Sequence, residues 1–323
     1  MASVSIPPSF AERWKRMEDD RLAPEATRSY PALRARMEPD SPHRTPFGRD
    51  RDRIVHSKAF RRLKHKTQVF IAPEGDHYRT RLTHTLEACG IARNVARALE
   101  LNEDLTEAIS LGHDLGHPPF GHIGENVLDD CVQARYSRRF RHNEHSLRVV
   151  EVLEDLNLTA QVREGILRHT GPDPSATQEG RVVRVVDRIA YINHDIDDAL
   201  RAGVLAFDDL PGEEIAVLGD TGSRRIETLV ADLLERSAEA GDIVQGDDVG
   251  GAMLRLRDFM FERVYLGPTA QREKERVERM LRALFAHYSE RAEDPQQVID
   301  WLAGMTDRFA VRTFSELSVP QGF

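Results

Sequence analysis

Ile109-Ser-Leu-Gly-His-Asp-Leu-Gly-His-Pro-Pro-Phe-Gly-His-Ile-Gly-Glu125 gathers three histidines, an aspartate and a glutamate into one short segment. The adjacent His113 and Asp114 put an imidazole nitrogen and a carboxylate oxygen on one helical turn, a donor pair that borderline divalent metals accept. One such pair holds a metal poorly. The reading of the chain therefore turns on whether distant His or Asp residues reach the same point from other helices. Pro118 and Pro119 end this helix near His117, because proline disfavours helical geometry in the residue before it and blocks continuation. His117 and His122 then bracket a short stiff loop, and Glu125 opens the next helix, running towards Tyr136. Gly112, Gly116, Gly121 and Gly124 let the backbone pass close to a ligand or a neighbouring helix.

On the N-terminal side, Arg79 to Leu101 reads as a helix, with Leu82, Leu86, Cys89, Val95 and Leu99 near its buried side. His84 lies three residues after Arg81 and shares its face. Asn102 caps the helix that follows, and Leu105, Ala108, Ile109 and Gly112 form a face that continues to His113. Two helices thus aim a histidine inward. On the C-terminal side, His142 and His145 stand at the entrance of a helix expected over Leu147–Leu156, and another helix runs from Thr159 to His169. In Val182–Leu200 the apolar Val182, Val183, Val186, Ile189 and Ala190 bury one side, yet Asp187 falls within that run. Tyr191 and Asp195 repeat its face one and two turns on. A buried, unpaired carboxylate is costly, so Asp187 is expected to be paired or metal-bound and is the fourth ligand candidate. His169 and His194 read as structural, with lining the pocket as the alternative for either.

Composition sets the class. The chain has 323 residues, 40% of them apolar, two cysteines and a net charge of −9. That is enough apolar material for a large core. The N-terminus lacks the apolar stretch of a signal peptide, and no run is long enough to span a membrane. Cys89 and Cys131 fall inside helical patterns, so a disulfide framework is not expected and the cytoplasm is the natural compartment. The negative charge argues against indiscriminate nucleic-acid binding. Arg51–Lys66 nevertheless carries seven basic side chains against one acid, a density that suits a polyanion or phosphorylated small molecule. Lys58, Lys64 and Lys66 individually read as a solvated face. Residues 205–250 reverse the balance, with 12 acids and 3 bases, and read as solvated surface. Residues 1–47 hold seven of the 16 prolines and read as an extended arm with a brief helix around Phe10–Met17. Helical patterns without strand alternation continue through Ile226–Leu234, Gly251–Leu266, Arg272–Tyr288 and Gln296–Phe309. The expected fold is all-α.

The set His84, His113-Asp114, Asp187 resembles the HD-domain metal phosphohydrolases, whose pattern is a His on one helix, an adjacent His-Asp on the next and a distant Asp. Longer stretches are similar to the dGTPase-type deoxynucleoside triphosphate triphosphohydrolases: Ser57-Lys-Ala-Phe-Arg-Arg-Leu-Lys-His-Lys-Thr-Gln68, Gly75-Asp-His-Tyr-Arg-Thr-Arg-Leu-Thr-His84, His113-Asp-Leu-Gly-His-Pro-Pro-Phe-Gly-His122 and Asp187-Arg-Ile-Ala-Tyr191. The resemblance covers about residues 48–200. It implies an HD-domain helical bundle over 48–203, preceded by the arm of 1–47 and followed by a helical region, 204–323, packed on the core. It further implies that His84, His113, Asp114 and Asp187 hold a divalent metal. Arg81 and Arg188 would meet phosphates, and Gln68, Tyr191 and Asp195 would contact the deoxyribose. His117, His122, Glu125 and His142 would surround the α-phosphate, with His122 the proton donor to the leaving 5′-oxygen and Glu125 its orienting partner. One departure is Glu144-His145 after His142-Asn143, where members often carry Gln.

The implied reaction hydrolyses a deoxynucleoside triphosphate, dGTP or several dNTPs, to deoxynucleoside and inorganic triphosphate. It calls for a water activated near a Lewis acid, neutralisation of the triphosphate and protonation of a poor leaving group. The mixed nitrogen and oxygen ligands suit Mn²⁺, Fe²⁺, Co²⁺ or Zn²⁺, with Mg²⁺ as a working ion. Two other classes compete: another HD phosphohydrolase (nucleotidase, phosphodiesterase or guanosine alarmone hydrolase) and a nucleotide- or nucleic-acid-binding regulator with little turnover. The contexts of Gln68, Tyr191 and Asp195 favour the triphosphohydrolase over the first, and the set of loop histidines favours it over the second. The resemblance also implies a homo-oligomer, tetramer or hexamer, and a dNTP or single-stranded DNA effector, with no membrane partner. The arm, with little to bury on its own chain, points the same way.

Overall fold

A computed structural model describes residues 9–68, 78–265 and 267–318. The expected turn over Pro73–Gly75 lies outside them. The fold is all-α. In chain order the helices are α1 (Phe10–Arg21), α2 (Pro46–His56), α3 (Lys58–Arg62), α4 (Arg81–Ala98), α5 (Glu103–Gly112), α6 (Gly121–Tyr136), α7 (His142–Arg148) and α8 (Ala160–Arg168). They continue with α9 (Gln178–Arg201), α10 (Gly212–Leu218), α11 (Gly222–Ala240), α12 (Asp247–Met260), α13 (Pro268–Ser289), α14 (Pro295–Ala303) and α15 (Asp307–Ser318). Among the described residues, no helix is long and apolar enough to cross a membrane.

The long helices are built locally as their sequences require. Thr80 and Thr83 close a reciprocal capping box at the start of α4, and the Asn102 side chain accepts from Leu105 N at the start of α5. Glu103 and Asp104 in the first turn of α5 suit the positive end of the helix dipole. The α9 helix begins at Gln178 on a Thr177 cap, earlier than the apolar run starting at Val182.

Two apolar clusters organise the packing. The larger joins α2, α4, α5, α8 and α9 and extends to Leu229 and Leu233 of α11 and to Met253, Leu256 and Met260 of α12. The smaller gathers Val127, Leu128 and Val132 of α6 with Val277, Leu281 and Leu284 of α13 and Val298, Ile299 and Leu302 of α14. The C-terminal region is therefore divided: α11 and α12 extend the central core, whereas α13 and α14 pack on α6 and on each other. Helix α6 carries the end of the histidine-rich stretch, so this second cluster is what fixes that stretch against the first.

Several local expectations change. Helix α6 starts at Gly121, four residues before Glu125, because Phe120 adopts a left-handed conformation with φ 64° and turns the chain into the helix early. This puts His122 and Glu125 one turn apart on the same face. Helix α7 starts at His142 and runs into a wider π-type turn at Val149–Leu153, so His142 and His145 lie within the helix. The expected helix Gln296–Phe309 is two helices, broken between Ala303 and Asp307. Finally, the N-terminal segment lies on its own chain. Thr27 donates to Glu179 through N (2.9 Å) and Oγ1 (2.8 Å), Ala23 N donates to Glu100 O (2.9 Å), and Arg34 pairs with the buried Asp50 at 2.5 Å. The premise that the arm needs a neighbouring subunit to bury against does not hold for these residues.

Candidate metal centre and histidine row

Helices α4, α5 and α9 pack on one another and bring His84, His113-Asp114 and Asp187 to one point. His84, His113 and Asp114 offer ligand atoms that all lie within 4.8 Å of one another. Asp187 Oδ1 lies 3.0 Å from His84 Nε2 and 3.4 Å from His113 Nε2. The His113 ring is set by its other nitrogen: Nδ1 donates to Ser110 O at 2.6 Å, so Nε2 faces the two carboxylates. That second interaction is how proteins commonly orient a metal-binding histidine. His113 Nε2 has no hydrogen-bond partner and is buried, as expected of a ligand atom. The donor set therefore fits a divalent ion.

Opposed charges hold the group together. Burial opposes charge on His113, but the carboxylates of Asp114 and Asp187 outweigh it and push its pKa up to about 9. Burial likewise works against charge on Asp114 and Asp187. It is overcome by His113 and Arg81 for Asp114, and by the neighbouring His113 and the hydrogen-bonded His84 for Asp187, which hold both well below the usual carboxylate range. Arg81 is buried and donates to Asp114 Oδ2 at 2.7 Å, while its Nε and Nη2 have no partner.

The second group lies beside this cluster. His117 Nε2 sits 3.9 Å from Asp114 Oδ1, and the His117 ring stacks on His142 with centroids 4.1 Å apart. Glu125 Oε1 accepts from His142 Nδ1 at 2.7 Å and from the His142 backbone N–H at 2.9 Å. Glu125 Oε2 lies 3.6 Å from Nδ1 of His122, whose side chain is 58% exposed. Both ring nitrogens of His142 are engaged, since Nε2 lies 3.1 Å from His169 Nε2. His122 Nε2 has no protein partner among the described residues.

His169, for which the sequence left a structural and a pocket-lining reading, belongs to this row: its ring lies 5.0 Å from His113 and contacts His142. Burial, then the charges of His113 and His142, lowers its pKa to about 3. It ends α8, and nothing in its local sequence indicates which way that helix crosses α5 and α7. His145 turns away and is bound to Gly116 O (3.2 Å) and Asp300 (3.3 Å), a structural role. His194 faces His84 at 3.4 Å, beside the candidate metal ligands.

Around the cluster, Gln68 is buried with Oε1 unpartnered among the described residues. Arg188, half-buried beside Asp187, has no ion-pair partner among the described residues. Tyr191 is half-buried, and burial followed by the Asp187 charge pushes its pKa up to about 12. Asp195 is buried; Oδ2 accepts from the Tyr265 hydroxyl, Oδ1 has no partner, and burial raises its pKa to about 7. Tyr265, on the π-type turn after α12, gave no sequence signal. The basic stretch departs from expectation. Arg51 pairs with Asp52 and Glu107, and Arg53 binds Glu38 and the carbonyls of Leu156 and Asn157. Lys58 and Lys64 are exposed, but Lys66 is buried, and burial, then Arg81, lowers its pKa to about 7.

Comparison with known proteins follows the same lines. An HD domain matches residues 81–192, and a phosphohydrolase-associated domain matches residues 243–297. A deoxyguanosinetriphosphate triphosphohydrolase-like protein of Caldanaerobacter subterraneus is 51% identical over 319 residues, covering 93% of each chain. Proteins of the same description from Desulfatibacillum aliphaticivorans and Clostridium perfringens are 43% and 44% identical, covering 97% and 89% of this chain and 99% and 91% of their own. The four predicted ligands come together on the helices of an HD domain, the relatives align over nearly the whole chain, and the protein belongs to the deoxyguanosinetriphosphate triphosphohydrolase-like family of HD-domain phosphohydrolases.

Proposed function

We propose that the protein hydrolyses deoxynucleoside triphosphates to deoxynucleoside and inorganic triphosphate. The observation that carries this is a set of buried polar atoms without partners among the described residues, gathered around one cluster: Gln68 Oε1, Arg81 Nε and Nη2, His113 Nε2, His117 Nδ1 and Asp195 Oδ1. Buried polar atoms are normally paired, so such a concentration marks a place built for a polar, highly charged ligand.

His84, His113, Asp114 and Asp187 would hold the divalent ion. Bound there, such an ion supplies Lewis acidity, polarising a phosphate oxygen and lowering the pKa of coordinated water. The protein side chains do the rest. Arg81 and Arg188 meet phosphate charge, and the His117 Nδ1 atom donates towards the α-phosphate. Gln68, Tyr191 and Asp195 take the sugar. His122 protonates the leaving 5′-oxygen: Glu125 faces its Nδ1, and its Nε2 is free to reach substrate, whereas both nitrogens of His142 are already engaged. His142 instead holds Glu125 in place and flanks the phosphate through its stacked neighbour His117. A tetrameric or hexameric assembly and a dNTP or single-stranded DNA effector belong to the same reading and rest on the family resemblance; light scattering at micromolar concentration tests the first.

Incubating the purified protein with each dNTP and Mn²⁺ or Mg²⁺ should release equimolar deoxynucleoside and tripolyphosphate, resolved by ion chromatography. Release of orthophosphate or pyrophosphate would replace this reading with a different HD phosphohydrolase.

A further inference from the structure

Helix α15 lies beyond both matched domains, yet its first residue is bonded to two segments that border the site. Asp307 is buried, and its Oδ2 accepts from the Thr67 backbone N–H at 2.9 Å and from the Thr67 hydroxyl. Its Oδ1 accepts from Phe120 N–H at 2.9 Å. Beside it, the buried Lys66 ammonium donates to His117 O and, at 2.8 Å, to Ala303 O at the end of α14. One carboxylate and one ammonium thus tie two segments together: Lys66–Gln68, which ends on the unpartnered Gln68 amide, and His117–Gly121, which leads to His122.

The two segments meet closely. A Cβ on Gly121, whose φ is +58°, would sit 2.9 Å from Gln68 O and 3.4 Å from Arg81 Nη2. Phe120, just before it, is held with φ 64° at 3% exposure, a left-handed conformation that residues other than glycine rarely adopt. Strained backbone of this kind persists only where surrounding contacts determine it, and the Asp307 bond to the Phe120 N–H is such a contact. The negative charge of Asp307 is itself favoured at the start of α15, where the helix dipole is positive.

We propose that Asp307 is a positioning residue of the site: through Thr67 and Phe120 it sets where Gln68 and the His117–His122 segment face the metal cluster. This rests on the proposed reaction, in which Gln68 meets the sugar and His122 supplies the proton. The helices outside the HD domain are then part of the catalytic apparatus. Asp307 touches no reacting atom; it acts through the two segments it joins.

The test compares wild type, Asp307→Asn and Asp307→Ala for metal content, melting temperature, and kcat and KM on dGTP and GTP. Metal content should be unchanged in both variants. The kcat/KM for dGTP should fall by about 100-fold in Asp307→Ala, as displacement of positioned groups commonly does, and less in Asp307→Asn, which keeps the volume and one acceptor. The preference for dGTP over GTP should narrow in both, a change that loss of stability alone does not produce. A folded variant with wild-type kcat and an unchanged dGTP-to-GTP ratio overturns the proposal. If neither Asp307 variant folds, Thr67→Val, which removes only the hydroxyl donor, decides by the same ratio. A wild-type protein that releases no tripolyphosphate from any dNTP overturns the proposed function instead, so the two failures are distinguishable.

Discussion

The candidate metal cluster and the histidine row share a wall but are built differently. His84, His113, Asp114 and Asp187 sit on or at the ends of three packed helices, with the two carboxylates set against His84, His113 and the buried Arg81. The row of His117, His122, Glu125, His142 and His169 draws on a turn, the starts of α6 and α7 and the end of α8, and it grades from fully buried His117 to exposed His122. The first arrangement is suited to holding a fixed charge, the second to moving a proton. The largest effect should follow from breaking the first. Asp187→Ala removes a carboxylate shared by His84 and His113, leaving two buried imidazoles without it. It should abolish both metal binding and turnover; full metal content by elemental mass spectrometry in a folded variant would show that Asp187 is no ligand.

Breaking the second region should spare the metal. His122→Ala is expected to keep metal and nucleotide affinity while kcat falls about 10²–10⁴-fold, the range for loss of a general acid. His142→Ala should also lower kcat, by loosening Glu125, but by less. If the order is reversed, the proton comes from the histidine that Glu125 binds tightly, and the roles of the two exchange.

Gly116 tests the wall between the regions. It lies on the turn after Asp114, and a Cβ there would meet Ser146 N at 2.1 Å and His145 C at 2.5 Å, both backbone atoms of α7. No side-chain movement relieves that contact. Gly116→Ala should therefore push α7, with His142, off the turn and cost about 1–3 kcal/mol or more in stability. Thermal unfolding measures this, and a melting temperature within a degree of wild type would mean that α7 shifts freely.

The same contrast explains what the sequence disclosed. The four metal-ligand candidates were legible because helical periodicity places each on a buried face, where an unpaired charge is costly. Helix existence was equally legible, since Thr80, Asn102 and Thr177 are local caps. What escaped depends on contacts distant in the chain. Asp307 and Thr67 are 240 residues apart, and His169 reaches His142 from the end of another helix. The early start of α6 follows from Phe120 in a left-handed conformation, which aromatic residues do not signal locally. Lys66 looked like its exposed neighbours Lys58 and Lys64, because burial of a lysine between two carbonyls leaves no mark on composition. Arg51 and Arg53 looked like anion binders for the converse reason: apart from Asp52, their acidic partners, Glu107 and Glu38, lie outside the basic stretch.

The smallest effect separates two aspartates on one helix. Asp187 and Asp195 share the same face of α9, but their surroundings drive them apart: histidines hold Asp187 well below the carboxylate range, whereas burial raises Asp195 from 3.8 to about 7. A raised carboxyl pKa means the folded protein binds that proton more tightly than the unfolded chain. Its contribution to stability is complete below 3.8, declines as pH rises, and is lost once pH passes the folded value of about 7. Asp195→Asn stays neutral throughout, so with the same metal present its melting temperature should gain on wild type as pH rises from about 5 to about 7 and run parallel above that. A difference that is constant over this interval would mean that Asp195 is already ionised when folded. The neutral form leaves Oδ1, the unpartnered atom, able to carry the proton towards a sugar hydroxyl while Oδ2 keeps its bond from Tyr265. The stability lost by burying this carboxyl is thus tied to the place proposed for the deoxyribose, and the pH series reads that cost without requiring turnover.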